Sequence, residues 1–233
     1  MRKYGFENGH GASFQYNLRF LEFPVFKYGK QVVELVEVPG RAGTVTIKKK
    51  QYTDTTISMT VEFGTETVDE FEEESAKIRD WIMSSDRLSF TDMEGKYFLV
   101  KKVNISGEER KYGLFGKMSI EFTCDPSVYF DSGNDETEQK TLVNPYSWSQ
   151  PIYKIYGEGM CTLTVNGNSV EINISDNAII DTEKMITYRE DGTIKNTSMT
   201  GDYEDLYLQN GENEISVTEN FELKIIPRWR RLL

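Results

Sequence analysis

Residues 55–63 read TTISMTVEF, with Ile57, Met59, Val61 and Phe63 at every second position and Ser58, Thr60 and Glu62 between them. A period of two belongs to a strand with one face buried and one face in water. Further along, the same alternation recurs at Tyr97, Leu99, Lys101, Val103 and Ile105, and at Met118, Ile120, Phe122 and Cys124. It returns at Val170, Ile172 and Ile174, at Ile215 and Val217, and at Phe221, Leu223 and Ile225. The expected fold class is therefore mainly β.

Residues 69–84 break the pattern. Phe71, Ser75, Ile78 and Ile82 recur at helical spacing with Trp81 beside them, and Thr67 with Glu70 has the form of a capping box. Acidic residues crowd the first turns, where the helix dipole favours them, and Glu73 stands one turn before Lys77. One amphipathic helix laid against a sheet is expected here.

Between residues 130 and 141 the text is FDSGNDETEQKT, poor in packing residues, and PYSWSQP follows. A polar stretch flanked by turn formers suggests a boundary, with one domain over 1–135 and a second over 142–233. Within the second, Val165-Asn166-Gly167-Asn168 is a strong hairpin signal, because Asn-Gly accepts the positive φ of a two-residue turn. Many short strands and no helix predict a sandwich or jelly roll there.

The chain has 233 residues, with 38 Asp plus Glu against 27 Lys plus Arg, a formal charge of -11. That balance argues against a protein that binds by neutralising many phosphates. One histidine and two cysteines cannot build a four-ligand zinc site of Cys and His, and no cofactor is expected. Cys124 and Cys161 are expected to be buried free thiols. No apolar run approaches the length of a membrane helix, and the start MRKYGFENGHG lacks the apolar core of a signal peptide, so synthesis in a cytoplasm without membrane insertion is expected.

No catalytic constellation emerges. His10 in GHGAS has no nucleophile in a recognisable pattern beside it. Glu70, Glu72, Glu73 and Glu74 fit the solvated turns of the helix, and Asp54 and the aspartates at 176 and 181 fit surface turns, since the DxDxDG calcium loop is absent. Pro39-Gly40 reads as a tight turn between strands, without the strand, glycine loop and helix order of a nucleotide site. Lys48, Lys49 and Lys50 lie in TVTIKKKQYTDTTISM, which suggests an extended hairpin whose lysines guard an exposed edge. Tyr146, Trp148, Tyr153 and Tyr156 are candidate contacts for a sugar or a partner. Trp229, among Arg228, Arg230 and Arg231, suits a packed terminus or an interface equally.

Taken in order, VPGRAGTV at 38–45, IRDWI at 78–82 and IEFTCDPSVYF at 120–130 resemble the N-terminal domain of siphophage distal tail proteins. GMCTLTVNGNSVEI at 159–172, IIDTEKMITY at 179–188, GDYEDL at 201–206, NGENEI at 210–215 and FELKIIPRWRRL at 221–232 are similar to the C-terminal domain of that family. The resemblance implies an N-terminal β-sandwich-like domain with one α-helix and a protruding β-hairpin, followed by a C-terminal galectin-like β-sandwich. It also implies a virion protein at the tail tip, forming a ring of six around the DNA exit channel, with no specific DNA binding. The implied partners are the major tail tube protein, a tail-associated lysin or fibre protein, and the tape measure protein. On this reading the GRAG segment and a hairpin at about 44–60 form the ring interface, with Arg41, Lys48, Lys49, Lys50, Ile57 and Met59 as candidates. The competing reading is a carbohydrate-binding module that contributes to host cell-wall recognition.

Overall fold

The structure is a computed structural model that describes residues 4–232, without the side chain of Lys50. In chain order the strands are β1 (Phe6–Glu7), β2 (Arg19–Lys27), β3 (Gln31–Glu37), β4 (Thr44–Tyr52) and β5 (Thr55–Gly64), then helix α1 (Phe71–Met83). There follow β6 (Arg87–Phe90), β7 (Lys96–Lys111), β8 (Phe115–Cys124), β9 (Ser127–Phe130), β10 (Thr141–Asn144), β11 (Ile152–Val165) and β12 (Asn168–Asp181). The last are β13 (Ile186–Tyr188), β14 (Met199–Thr200), β15 (Gly211–Val217), β16 (Glu222–Ile226) and β17 (Arg230–Leu232). The protein is mainly β, as the alternation requires. It divides into two compact units between Val128 and Tyr129, so the polar stretch 130–141 lies inside the second unit instead of between the two.

The first unit is built on an antiparallel sheet of order β1-β6-β7-β8-β5-β2. Strand β5 lies between β2 and β8, and its register sets Ile57 against Phe122, Met59 against Ile120 and Val61 against Met118. All six side chains are buried, so cross-strand apolar pairs tile one face of the sheet. Helix α1 covers apolar surface with Phe71, Ser75, Ile78, Trp81 and Ile82, the residues its spacing selects. The Phe71 ring stacks on Phe63 at 5.4 Å and Trp81 meets Phe6 at 5.3 Å. Half of the expected capping box forms, the Glu70 carboxylate accepting from the Thr67 N–H at 3.3 Å, but Glu70 is itself the N-cap. In β7 the expected alternation fails: register shifts between Val100 and Lys102 leave Lys101 exposed, while Tyr97 and Phe98 are both buried.

The hairpin expected over 44–60 is placed differently. Strand β4 pairs with β3, not β5, in a separate two-stranded sheet, with Val36 opposite Val45 and Glu37 opposite Thr44. The protruding hairpin therefore spans residues 31–52, and its tip is the 38–43 turn, where the Arg41 N–H donates to the Val38 carbonyl at 3.1 Å. Gly40 and Gly43 both hold φ +83°, a conformation that costs a glycine little. Ile57 and Met59, expected to bury against a neighbour, are 0% and 3% exposed in the core of their own unit.

In the second unit the strand order is β10-β15-β11-β12-β13, with β14 on β12 and β16 on β11. Strands β11 and β12 are 14 residues each, longer than the short strands expected, and join through Asn166 at φ 53° and Gly167 at φ 86° as the Asn-Gly signal predicts. Gly157, Gly159 and Asp176 hold positive φ near the middle of this long pair, whose register nevertheless runs unbroken from Ile152 opposite Asp181 to Val165 opposite Asn168. The first half of β11 pairs with β16 and the last three residues with β15. Three-residue and four-residue 3-10 turns at Asn196–Ser198 and Tyr203–Leu206 stand where no helix was expected. The core holds Tyr153, Ile155, Leu163, Ile172, Ile180 and Ile225. Cys124 and Cys161 are buried free thiols, and burial pushes the Cys124 thiol up to about 12.

Candidate functional site

Among the described residues no group of three or more His, Cys, Asp and Glu is arranged to hold a metal ion, and no helix is long and apolar enough to cross a membrane. His10 lies on the surface with Nε2 3.6 Å from Asp86. The acidic run on α1 is paired outward: Lys77 bridges Glu73 at 2.8 Å and Glu74 at 2.9 Å, and Arg110 reaches Glu72 at 3.4 Å. These carboxylates act as the solvated face of a helix and leave no acid and base facing one another.

What the first unit does offer is unspent apolar surface. The two faces of the β3–β4 ribbon follow from its register. Val33 and Leu35 share one face with Thr46 and Lys48, while Val36, Val45 and Ile47 share the other with Glu34. Leu35 is 62% exposed, Val33 and Ile47 are exposed as well, and Val36 and Val45 are half-buried. A two-stranded ribbon is marginal in water without a surface to lie on. Strand β2 ends the main sheet and adds Leu21, Phe23 and Val25 at alternate positions, Phe23 being 73% exposed although it meets Tyr4 edge-on at 5.0 Å. Pro24, which has no backbone donor, falls where the pairing of β2 with β5 shifts register between Glu22 and Val25.

The candidate interface residues fall into two groups against this geometry. Arg41 sits exposed at the ribbon tip, and Lys48 and Lys49 are exposed on β4, Lys49 pairing with Glu34 at 3.1 Å. Lys50 belongs to β4 by its backbone, and its side chain lies outside the described residues. Ile57 and Met59 belong to the core and contribute nothing to a surface. Sequence reasoning passed over Phe23, Val33, Leu35 and Ile47, although QVVELVE directly before the Pro39-Gly40 turn carries a strand signal.

In the second unit the aromatic candidates are largely absorbed by packing. Tyr153 is 0% exposed and its hydroxyl donates to the Leu206 carbonyl at 2.7 Å, so it is a core residue and no platform for a sugar. Trp229 is likewise buried. Trp148 stacks on Tyr207 at 5.2 Å with the Arg230 guanidinium 4.0 Å from its ring, and Tyr146 stacks on Phe130 at 3.8 Å. Tyr156 stays half-buried, its hydroxyl donating to Glu190 at 2.6 Å, and that hydrogen bond raises its pKa to about 12.

Asp181, expected in a surface turn, is buried. The Arg228 guanidinium meets it through two bonds, Nη1 to Oδ1 at 2.7 Å and Nη2 to Oδ2 at 3.1 Å, and also reaches Glu183 at 3.2 Å. Burial works against the charge of Asp181, but the guanidinium holds its carboxyl below the usual carboxylate range. A buried, bidentate ion pair of this kind ties the end of β12 to the C-terminal segment.

Comparison with known proteins gives these surfaces a setting. Residues 11–124 match the family described as phage tail protein RIFT-related domain, so the first unit carries a phage tail domain. No curated protein matches the chain. Among solved structures the chain is similar to the Dit (gp 19.1) protein of phage SPP1, described as a paradigm of the hub adsorption apparatus in phages that infect Gram-positive hosts. That match has 9% identity and a TM-score of 0.62, covering 99% of each chain. A chain of the phage P2 baseplate, in its activated conformation with Ca, is similar at 13% identity and a TM-score of 0.52, over 99% of this chain and 98% of the other. The resemblance to distal tail proteins read from the sequence is borne out: residues 11–124 match a phage tail domain, and the chain shares its fold with these two baseplate proteins.

Proposed function

We propose, from the premise that the first unit is a phage tail domain, that six copies of this chain close a ring at the tail tip. The ring joins the terminal ring of the tail tube to the fibre or lysin protein and surrounds the channel through which DNA leaves. The observation that carries this reading is the β3–β4 ribbon, which exposes apolar side chains on both faces while its own unit has a complete core without it. A ribbon of that kind is stabilised when a neighbour covers it, and a head-to-tail contact repeated around an axis closes a ring without needing a self-complementary patch. The free edge of β2 gives a second strip for strand-to-strand contact. The net charge of -11 suits a conduit, since a lumen rich in phosphate contacts would retain the genome. The role in this reading is structural, in keeping with the phage tail domain that the first unit matches.

Negative-stain images of the purified chain, alone and mixed with its tube and fibre partners, test the reading. Closed six-fold rings with a central hole are expected in at least one of those mixtures. Particles that stay monomeric in all of them would overturn it.

A further inference from the structure

Strands β7 and β8 of the first unit join through Tyr112-Gly113, with φ 54° at the tyrosine and 71° at the glycine. Positive φ at both central residues is the hairpin turn that Asn-Gly serves best, and a bulky side chain at its first position is a steric misfit. Tyr112 buries almost nothing in return, being 93% exposed. The turn is nonetheless held on two sides. The Arg110 guanidinium donates to the Gly113 carbonyl at 3.1 Å and to the Val68 carbonyl at 3.0 Å, reaches Glu72 at 3.4 Å and lies 4.2 Å from the centre of the Phe71 ring. The Thr65 N–H donates to the Leu114 carbonyl at 2.9 Å, so the loop before α1 and the turn support one another.

Strand β5 sets this turn far from the ribbon. The β3–β4 ribbon leaves the main sheet beside Lys27 opposite Thr56, whereas the Tyr112 turn lies at the other end of β5, where Gly64 stands opposite Phe115. The strand between them is about 30 Å long. A copy seated on the ribbon and along the β2 edge therefore has no need of this strand end. Val68 and Phe115 beside the turn are 53% and 52% exposed, and a methyl group on Gly113 would meet Val68 at 3.3 Å. Glu66, Asp69 and Glu70 are exposed in the same loop as Val68. Of the nearby cations, Arg110 meets Glu72 and Lys117 meets Glu109 at 3.5 Å, and Lys111 is the one further cation of the turn. An apolar point with an acidic surround repels another surface of the same sign, and a second copy carries the same net charge of -11.

We propose that the Tyr112 turn is a docking knob for a second, different tail protein, which receives it in an apolar cleft rimmed by Lys and Arg. Tyr112 is the aromatic anchor, Val68 and Phe115 widen the apolar contact, and Glu66 and Asp69 face the basic rim. Strain at the turn fits this role, because a residue that works against its own turn and stays in water at home contributes through what it meets elsewhere. Such a partner is present only if the chain sits in a tail, so this docking rests on the hub reading and names the end of the first unit that the partner meets.

The test is biolayer interferometry of the immobilised full chain against two probes, the purified tail tube protein and the purified fibre or lysin protein of the same phage, with negative-stain images of each variant. One of the two probes is expected to bind. Tyr112→Asn, which suits the turn, should weaken that binding about ten-fold or more, with the melting temperature unchanged or raised and rings still forming. Glu66→Lys, outside α1, should weaken it about five-fold at low salt and much less at high salt. Unchanged binding by Tyr112→Asn would overturn the proposal, as would silence from both probes. Loss of rings in Tyr112→Asn would make the occupant another copy and overturn the choice of partner. Failure of the hub reading looks different: rings would form in no preparation while Tyr112-dependent binding persisted.

Discussion

Strands β4 and β5 are separated by two residues and have opposite fates. Strand β5 sends Ile57, Met59, Val61 and Phe63 into a core and is paired along its length by β2 and β8. Strand β4 has β3 for its only strand partner among the described residues and leaves Ile47 exposed. Alternation tells how a strand sits on a sheet, but it does not say whether the strand reaches the sheet. That second fact is decided by the turns. Pro39-Gly40 folds β4 back on β3 before β5 begins, so the ribbon stands apart and the chain returns to the core at Thr55.

The largest effect should come from the buried side of the contrast. Ile57→Ala removes a fully buried side chain between two paired strands and should cost roughly 2 to 5 kcal/mol. Chemical denaturation would read this directly, and a cost below about 1 kcal/mol would show that β5 is not the core strand described here.

Burial of a different kind is tested at Asp181→Asn, which leaves the Arg228 guanidinium without its bidentate partner and should cost about 3 kcal/mol. The pH dependence follows from the lowered carboxyl. A depressed folded-state pKa gives stability that is present above the ordinary aspartate value of about 3.9 and lost as pH falls through the folded value. The unaltered chain should therefore lose stability below about pH 4 more steeply than the Asn variant. Parallel acid unfolding curves for the two would remove the pair from the account.

A smaller effect belongs to the turn that joins β11 and β12. Gly167 holds φ +86° with open space around it, so Gly167→Ala meets backbone strain alone and should cost about 1 kcal/mol. Thermal melting is sufficient to see it, and a neutral result would mean the turn relaxes to another type.

The smallest effect on the single chain should come from the exposed side of the contrast. Ile47→Ala sits ten residues before Ile57 and should change folding stability by no more than about 0.5 kcal/mol. If its cost approached that of Ile57→Ala under dilute conditions, the ribbon would be part of the folding unit and the contrast would fail.

Much of this was legible beforehand. The buried faces of β5, β8 and α1 follow residue by residue from periodicity, because each is set by local geometry against one apolar surface. The Asn166-Gly167 turn was legible because only a few residues accept positive φ. The ribbon was half legible: Pro39-Gly40 announced a turn between strands, but the lysine run drew the hairpin forward to 44–60 and placed Ile57 and Met59 on a surface. The tension was visible in the sequence, since a strand that alternates as cleanly as 57–63 has a buried face to fill. The Asp181–Arg228 pair was not legible, because it joins residues 47 apart in the chain. The sugar-contact candidates failed for a related reason: an aromatic ring can serve a core or a surface with the same local pattern, and Tyr153 serves the core.

The central claim is that the apolar ribbon and edge strand of the first unit are surfaces for another copy of the chain. Light scattering over a concentration series, on the unaltered protein and on Phe23→Lys with Leu35→Lys, tests it most directly. The account predicts that the unaltered chain approaches six times the 26.9 kDa of one copy as concentration rises, while the double variant stays at 26.9 kDa with an unchanged melting temperature. A double variant that assembles as the unaltered chain does would contradict it.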